Sequence, residues 1–129
     1  MSYTPVQMFI EWLDAYSNLN GYSLSRGMWD EDNPDMKKKF LSVWVNQGRN
    51  PGPGISYPSI RVIVTGVRNG RAIGDAESVE MFAHGIIDAA NENWDTDCIT
   101  LVRPLGSIQG PNYTTNNRAW YEVNFQLII

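Results

Sequence analysis

The chain has 129 residues, with 10 Lys and Arg against 14 Asp and Glu, 43% hydrophobic residues, one cysteine and one histidine. At this length a chain buries roughly two-thirds of its unfolded surface, so we expect a single domain over residues 1–129 with its own apolar core. The composition excludes an internal disulfide framework, a zinc site of clustered Cys and His ligands and a membrane span, and we expect a soluble protein without an export signal.

The first third of the chain predicts a helix followed by a short strand. Thr4 is suited to cap a helix over residues 4–18, Pro5 suits its first position, and apolar residues recur at helical spacing from Val6 to Tyr16. Residues 22–29 are predicted to form a short edge strand, and residues 30–35 a polar turn.

Two strands are predicted next, on either side of a segment rich in proline and glycine. Alternating residues indicate strands over residues 39–47 and 59–67, which we expect to pair antiparallel. The segment between them, residues 48–58, is too long for a tight turn and is predicted to be a loop that projects from the sheet as an arm.

The second half of the chain predicts one amphipathic helix and two strands. The helix extends from Asp75 or Ala76 to Asn93, with an apolar arc that includes Val79 and Ile86. Strands are expected over residues 98–102 and 118–129, with a polar loop over 104–117 between them. The element order indicates an α+β domain, with helices packed on a mainly antiparallel sheet.

Residues with catalytic potential are few. His84 lies on the polar side of the second helix between Glu80 and Asp88, which favours a solvated histidine over a catalytic one. Cys98 is interpreted as a small buried residue, with a nucleophile as the alternative. The acidic run 30–35 does not fit a calcium loop. We therefore expect no catalytic residue, cofactor or metal.

Two tryptophans lie on strand faces opposite the main apolar stripes. Trp44 and Trp120 could form a platform for a sugar or a base, pack under a second helix layer, or belong to a subunit interface. Packing is favoured, because the first helix must also dock somewhere.

Charge is segregated along the chain. Residues 36–74 contain seven bases and no acid, and residues 75–97 contain seven acids and no base. The two blocks either neutralise each other within one molecule or join the acidic helix of one subunit to the basic strands or arm of the next.

The pattern of elements resembles the tail terminator proteins of long, non-contractile-tailed, lambda-like bacteriophages. The resemblance covers the element order of the whole chain: the strand ending Val43-Trp44-Val45, the arm, the strand over 59–64, the helix over 76–93 and the closing strand over 118–125. It implies a small α+β structural protein that is not an enzyme. Such proteins form a hexameric ring on the last ring of the tail tube, stop its polymerisation and present a surface for the head.

The resemblance also implies partners and a location. Expected partners are further copies of this chain, the tail tube protein and a head-completion or neck protein, without a membrane or direct sequence-specific nucleic acid binding. The expected location is the head-proximal end of the virion tail, after assembly in the host cytoplasm. A head-tail joining or neck protein is the related alternative, and a small-molecule-binding or enzymatic α+β domain is the alternative from another class.

Candidate interface residues lie in three segments. Loop residues 106–117 form one candidate contact, because loops on a rigid scaffold commonly carry binding surfaces. The arm and the polar side of the second helix supply the named candidates: Arg49, Asn50, Pro51, Gly52, Pro53, Glu77, Glu80, Met81, His84 and Asp88.

Overall fold

The computed structural model describes residues 4–17, 19, 21–52, 55–93, 99 and 101–128. Helices and a mainly antiparallel five-stranded sheet occupy separate stretches of the chain, which confirms the predicted α+β fold class. The elements in chain order are α1 (Pro5–Tyr16), β1 (Tyr22–Ser25), β2 (Lys39–Gly52), β3 (Ile55–Thr65), α2 (Gly70–Ile73), α3 (Ala76–Glu92), β4 (Leu101–Tyr113) and β5 (Ala119–Ile128).

The helix α1 begins where the sequence predicts. The Thr4 side chain accepts a hydrogen bond from the backbone N–H of Gln7 at 3.2 Å, and Pro5 occupies the first helical position. The hydroxyl thus satisfies one of the amide groups that a helix leaves without a partner at its start. Phe9 and Leu13 on its inner side are fully buried.

The strands form one sheet in the order β1-β2-β3-β5-β4. β1 pairs with β2 in parallel, and every other neighbouring pair is antiparallel, including the predicted pair of β2 and β3. The predicted edge strand is present but ends at Ser25. β5 lies inside the sheet, where the strict alternation of buried and half-buried side chains confirms its predicted period of two.

The prediction of loops is wrong for residues 48–52, 55–58 and 104–113, while residues 114–117 form no strand, as predicted. β2 continues to Gly52, β3 begins at Ile55, and β4 extends from Leu101 to Tyr113. Both extensions contain register shifts. These irregularities accommodate the prolines and glycines of the two segments, which regular strand pairing does not favour. Composition predicts loops here because proline and glycine are unfavourable in regular strands, whereas irregular hairpins tolerate them.

Between β3 and α3 the chain forms a short helix that is not among the predicted elements. Asn69 adopts the left-handed conformation, with φ of 60°, immediately before α2. After Gly74, α3 extends from Ala76 to Glu92, in agreement with the predicted helix.

The two long helices pack on the same face of the sheet, which we call the first face. The tertiary contacts place α1 against β2 and β3, and α3 against β3, β4 and β5. The main core between helices and sheet consists of these buried side chains: Phe9, Ile10, Trp12, Leu13, Leu41, Val43, Ile60, Val62, Val64, Val79, Ala83, Ile86, Ala89, Ala90, Ile99, Val102, Tyr121, Val123, Phe125 and Leu127.

Candidate assembly surfaces

The arm is a two-stranded hairpin. Arg49 pairs with Tyr57 and Gly52 with Ile55, whereas pairing of β3 with β5 is found only from Ser59 onward. The described strand pairs therefore leave the end of this hairpin without a third strand, so the arm projects beyond the sheet, as predicted. The backbone of four candidate residues belongs to β2, while their side chains and all of Pro53 lie outside the described part of the structure: Arg49, Asn50, Pro51 and Gly52.

The candidate residues of the second helix share the outward side of α3. Glu77, His84 and Asp88 are exposed, Glu80 is half-buried, and Met81 has 68% of its surface accessible. His84 Nε2 lies 3.6 Å from Glu80 Oε1, one helical turn away. The structure therefore brings these five side chains together on one surface.

Most carboxylates on the outward side of α3 form no ion pair with the described residues. Lys39 Nζ lies 3.4 Å from Asp75 Oδ1, and this is the only described ion pair that joins the basic block to the acidic block. Arg61 pairs with Glu122 instead. In the described residues, the acidic side of α3 thus has no basic partner from the 36–74 segment.

Part of the second face of the sheet is covered by irregular chain instead of by a helix. We call residues 26–38 the strap. Its Trp29 is buried against Phe40 and Ile63, and Trp44 and Trp120 pack at the border of this cluster. Packing of the two tryptophans is therefore confirmed, although α1 docks on the first face.

Arg118 and Glu31 hold the strap on the sheet. Arg118 is completely buried at the start of β5, and its Nη1 donates to the carbonyl oxygens of Lys38 at 2.8 Å and Gly66 at 2.9 Å. Its Nε lies 3.9 Å from Glu31 Oε1. The guanidinium thus links the end of the strap, the end of β3 and the start of β5.

Hydrogen bonds from three residues keep Glu31 ionised. Burial by itself raises the pKa of Glu31, but bonds from Thr114, Trp29 and Asn116 outweigh burial and lower the pKa below its usual range. The Trp29 indole N–H and the Asn116 backbone N–H each donate at 3.0 Å. The carboxylate therefore ties the strap to the turn before β5.

Acid should loosen this attachment. Because the native pKa of Glu31 lies below its unfolded value of about 4.3, ionised Glu31 contributes its full stability above about pH 4.3, and that contribution is lost as the pH falls through the native pKa. We expect Glu31→Gln to have a lower urea midpoint at pH 7 and a smaller further decrease between pH 5 and pH 3 than the wild type. The matched control is Asp14→Asn, which removes an exposed carboxylate of α1. Equal decreases in wild type and Glu31→Gln would contradict this role.

A cavity of about 350 Å³ lies between the end of α3 and the start of β4. Its lining residues are Ala90, Asn91, Leu101, Val102, Arg103 and Pro104. Only Asn91 and Arg103 carry polar side chains, and Arg103 Nη2 already donates to Gln126 Oε1 at 2.6 Å. Among the described residues, the lining of this cavity thus lacks the convergent polar groups that a small-molecule site requires.

Comparison with known proteins identifies the family. Residues 3–129 match the family model described as phage tail termination protein, which covers nearly the whole chain. The chain belongs to the phage tail termination protein family. No curated protein matches the sequence.

Membership gives this tail termination protein a structural role in the phage tail. Within the described residues, no group of three or more potential metal ligands is found, and no helix is long and apolar enough to cross a membrane. A structural role in the tail makes the surfaces of this protein its candidate functional sites.

Two features of this tail termination protein were not predicted from its sequence. The sequence pattern places Arg118 only in the last strand and Glu31 only in a polar turn. Their partners are distant in the chain: Arg118 binds Lys38, and Glu31 binds Asn116. A lone arginine at the start of an apolar strand was the available signal, but it does not reveal these partners.

Proposed function

We propose that this chain forms a ring, expected to be a hexamer, that caps the phage tail tube, ends its polymerisation and provides the attachment surface for the head. The observation that carries this proposal is the family match over residues 3–129. The ring would occupy the head-proximal end of the virion tail. Its partners would be other copies of this chain, the tail tube protein and a head-completion or neck protein.

Two surfaces support assembly through protein contacts. The arm extends past the third strand, and the acidic side of α3 has an exposed Met81 among carboxylates. A surface with one sign of charge attracts a partner of the other sign and repels a copy of itself. We propose that these surfaces contact neighbouring subunits or the tube, whose growth ends because the free side of the ring does not accept another tube ring.

Most of the candidate contact segment over residues 106–117 is a strand instead of a loop. Residues 106–113 belong to the edge strand β4, which has register shifts on both sides of Gln109 and prolines at positions 104 and 111. Prolines and irregular pairing protect an edge strand from pairing with another chain. We propose that this edge offers side chains, and not its backbone, to any partner.

Polymerisation of the tail tube protein tests the function. Purified chain added to growing tubes is expected to stop elongation and to appear in electron micrographs as a ring at one tube end. Sedimentation at increasing protein concentration should show the ring, and high salt should weaken it if exposed charges contribute.

The control is the same tube protein polymerised with an equal amount of an unrelated acidic protein. A chain that stays monomeric at high concentration and beside the tube protein, while tubes elongate as in the control, would contradict the proposal. Binding to a head complex with no effect on tubes would also contradict it and would indicate a neck protein.

A further inference from the structure

The outward side of α3 carries a continuous uncovered stripe. We define the α3 stripe as Glu77, Met81, Gly85, Asp88 and Glu92, which recur every three or four residues and therefore lie along one side of the helix. All five are exposed. The stripe lies opposite the side that packs on the sheet, and no described residue covers it.

Nothing in the described chain explains why position 85 is a glycine. It lies in the middle of α3, where glycine is among the least favourable residues. No heavy atom lies within 4 Å of the position that its Cβ would take, and its φ is not positive. At Gly66, by contrast, a Cβ would collide with Asp75 and Val79. The described chain does not require glycine at position 85, whereas close approach of another backbone would.

The charge of the stripe restricts its partner. Glu77, Asp88 and Glu92 form no ion pair with the described residues. Two identical stripes face to face would bring carboxylates together, which is unfavourable. The partner surface must therefore present basic or polar groups, with an apolar position that accommodates Met81.

The second face of the sheet has such a surface next to the strap. Arg61 of β3 and Arg103 of β4 lie on either side of β5, where Asn124 pairs with Arg61 and Gln126 with Arg103. Leu105 pairs with Asn124 and supplies apolar surface. We call these five residues the sheet platform. Each of them is exposed or half-buried, so the platform is accessible.

The platform is also preorganised. Arg61 Nε and Nη2 each lie 2.8 Å from Glu122 Oε1, so the guanidinium is held in place. Arg103 is exposed, donates to Gln126 and has no described carboxylate partner. Two arginines against one glutamate leave the surface with positive charge.

We propose that the α3 stripe of one copy docks on the sheet platform of a second copy of this chain, with Gly85 at the point of closest approach. The charges of the two surfaces are complementary. Because α3 lies on the first face and the platform on the second, the contact joins copies head to tail, as a closed ring requires. This inference rests on the self-assembly in the proposed function and names the surfaces that perform it.

Gly85→Ala separates an assembly role from a folding role. An added methyl group meets nothing within the molecule and improves helix propensity, so the melting temperature of the dilute monomer should rise by a few degrees. Assembly should weaken at least tenfold, measured by sedimentation at increasing concentration, because the methyl group holds the copies apart. Gly85→Leu should weaken assembly further.

Asp14→Ala is the matched control. Asp14 is exposed on α1, outside the stripe and the platform, so its replacement should also favour the helix while assembly stays within twofold of the wild type. Unchanged assembly of Gly85→Ala would overturn the proposal.

Cross-linking tests the pairing of the two surfaces. In a background with Cys98→Ser, which removes the only cysteine of the sequence, Asp88→Cys and Asn124→Cys proteins are prepared separately and then mixed under oxidation. A disulfide-linked dimer is expected in the mixture and not in either protein alone.

The outcomes separate this inference from the proposed function. A dimer formed by Asp88→Cys alone, or rings without any cross-link in the mixture, would overturn the docking proposal while leaving the capping function in place. A wild-type chain that neither forms rings nor stops tube growth would reject the function itself.

Discussion

Replacement of Arg118 by methionine is expected to lower the free energy of unfolding by about 3–5 kcal/mol. The guanidinium is fully buried and donates to the carbonyl oxygens of Lys38 and Gly66, which would lose this donor. Glu31 would also lose its nearby cation. The strap and the ends of two strands would lose their common attachment, and urea unfolding at pH 7 measures the loss.

The cost of burying the Arg118 cation opposes this expected loss of stability. Arg118 Nε and Nη2 have no hydrogen-bond partner among the described residues, so burying the cation carries an uncompensated cost. We expect the lost hydrogen bonds to outweigh this burial cost. Removal of Arg118 leaves two carbonyl oxygens and one carboxylate without the cation that they surround. Arg118→Lys, which keeps the charge without the planar fork, should be intermediate in stability.

Arg71→Met is the control for this experiment. Arg71 is exposed and its guanidinium carbon lies 3.9 Å from the centroid of the Tyr113 ring, so its loss should cost about 1 kcal/mol or less. An Arg118→Met protein as stable as the wild type would show that the desolvation cost of the buried cation cancels its hydrogen bonds.

Reversal of two charges on α3, Asp88→Lys together with Glu92→Lys, is expected to weaken assembly by about 100-fold or more, because like charges at an interface cost several kcal/mol. Both residues are exposed and lie near the end of the helix, where cations are favourable. The free energy of unfolding should therefore stay within about 0.5 kcal/mol of the wild type. Sedimentation measures assembly, and circular dichroism with urea unfolding measures the fold.

The matched control makes the same change of charge on the other long helix. Glu11→Lys with Asp14→Lys replaces two exposed carboxylates of α1 and should leave assembly nearly unchanged. If the α3 variant assembles as the wild type does, the stripe lies outside the interface. If it unfolds, the acidic block is paired within the molecule, contrary to the exposure of Asp88 and Glu92.

Local patterns are sufficient for the two long helices and for β5. Thr4 and Pro5 place the start of α1, and the alternation along β5 agrees with its burial from end to end. These signals are local, because a cap and a periodic apolar face depend on residues only a few positions apart. The same patterns carried the family resemblance that the family match confirms.

The candidate surfaces were predicted only in part. The outward position of Glu77, Met81 and Asp88 follows from helical periodicity, and the structure agrees. Periodicity does not show that Asp75 pairs with Lys39 while Asp88 remains without a described ion pair. That division depends on where β2 passes α3, which is a property of the folded chain.

Sequence patterns alone therefore establish the fold class, the positions of the long helices and the family. Three further features are visible only in the folded chain: residues 48–52, 55–58 and 104–113 extend strands, the strap covers part of the second face, and the buried Arg118 anchors it. The strand extensions belong to hairpins with partners close in sequence, but their prolines, glycines and register shifts obscure the strand pattern. The strap and Arg118 depend on burial and hydrogen bonds supplied by residues far along the chain, and such partners leave no trace in local composition or periodicity.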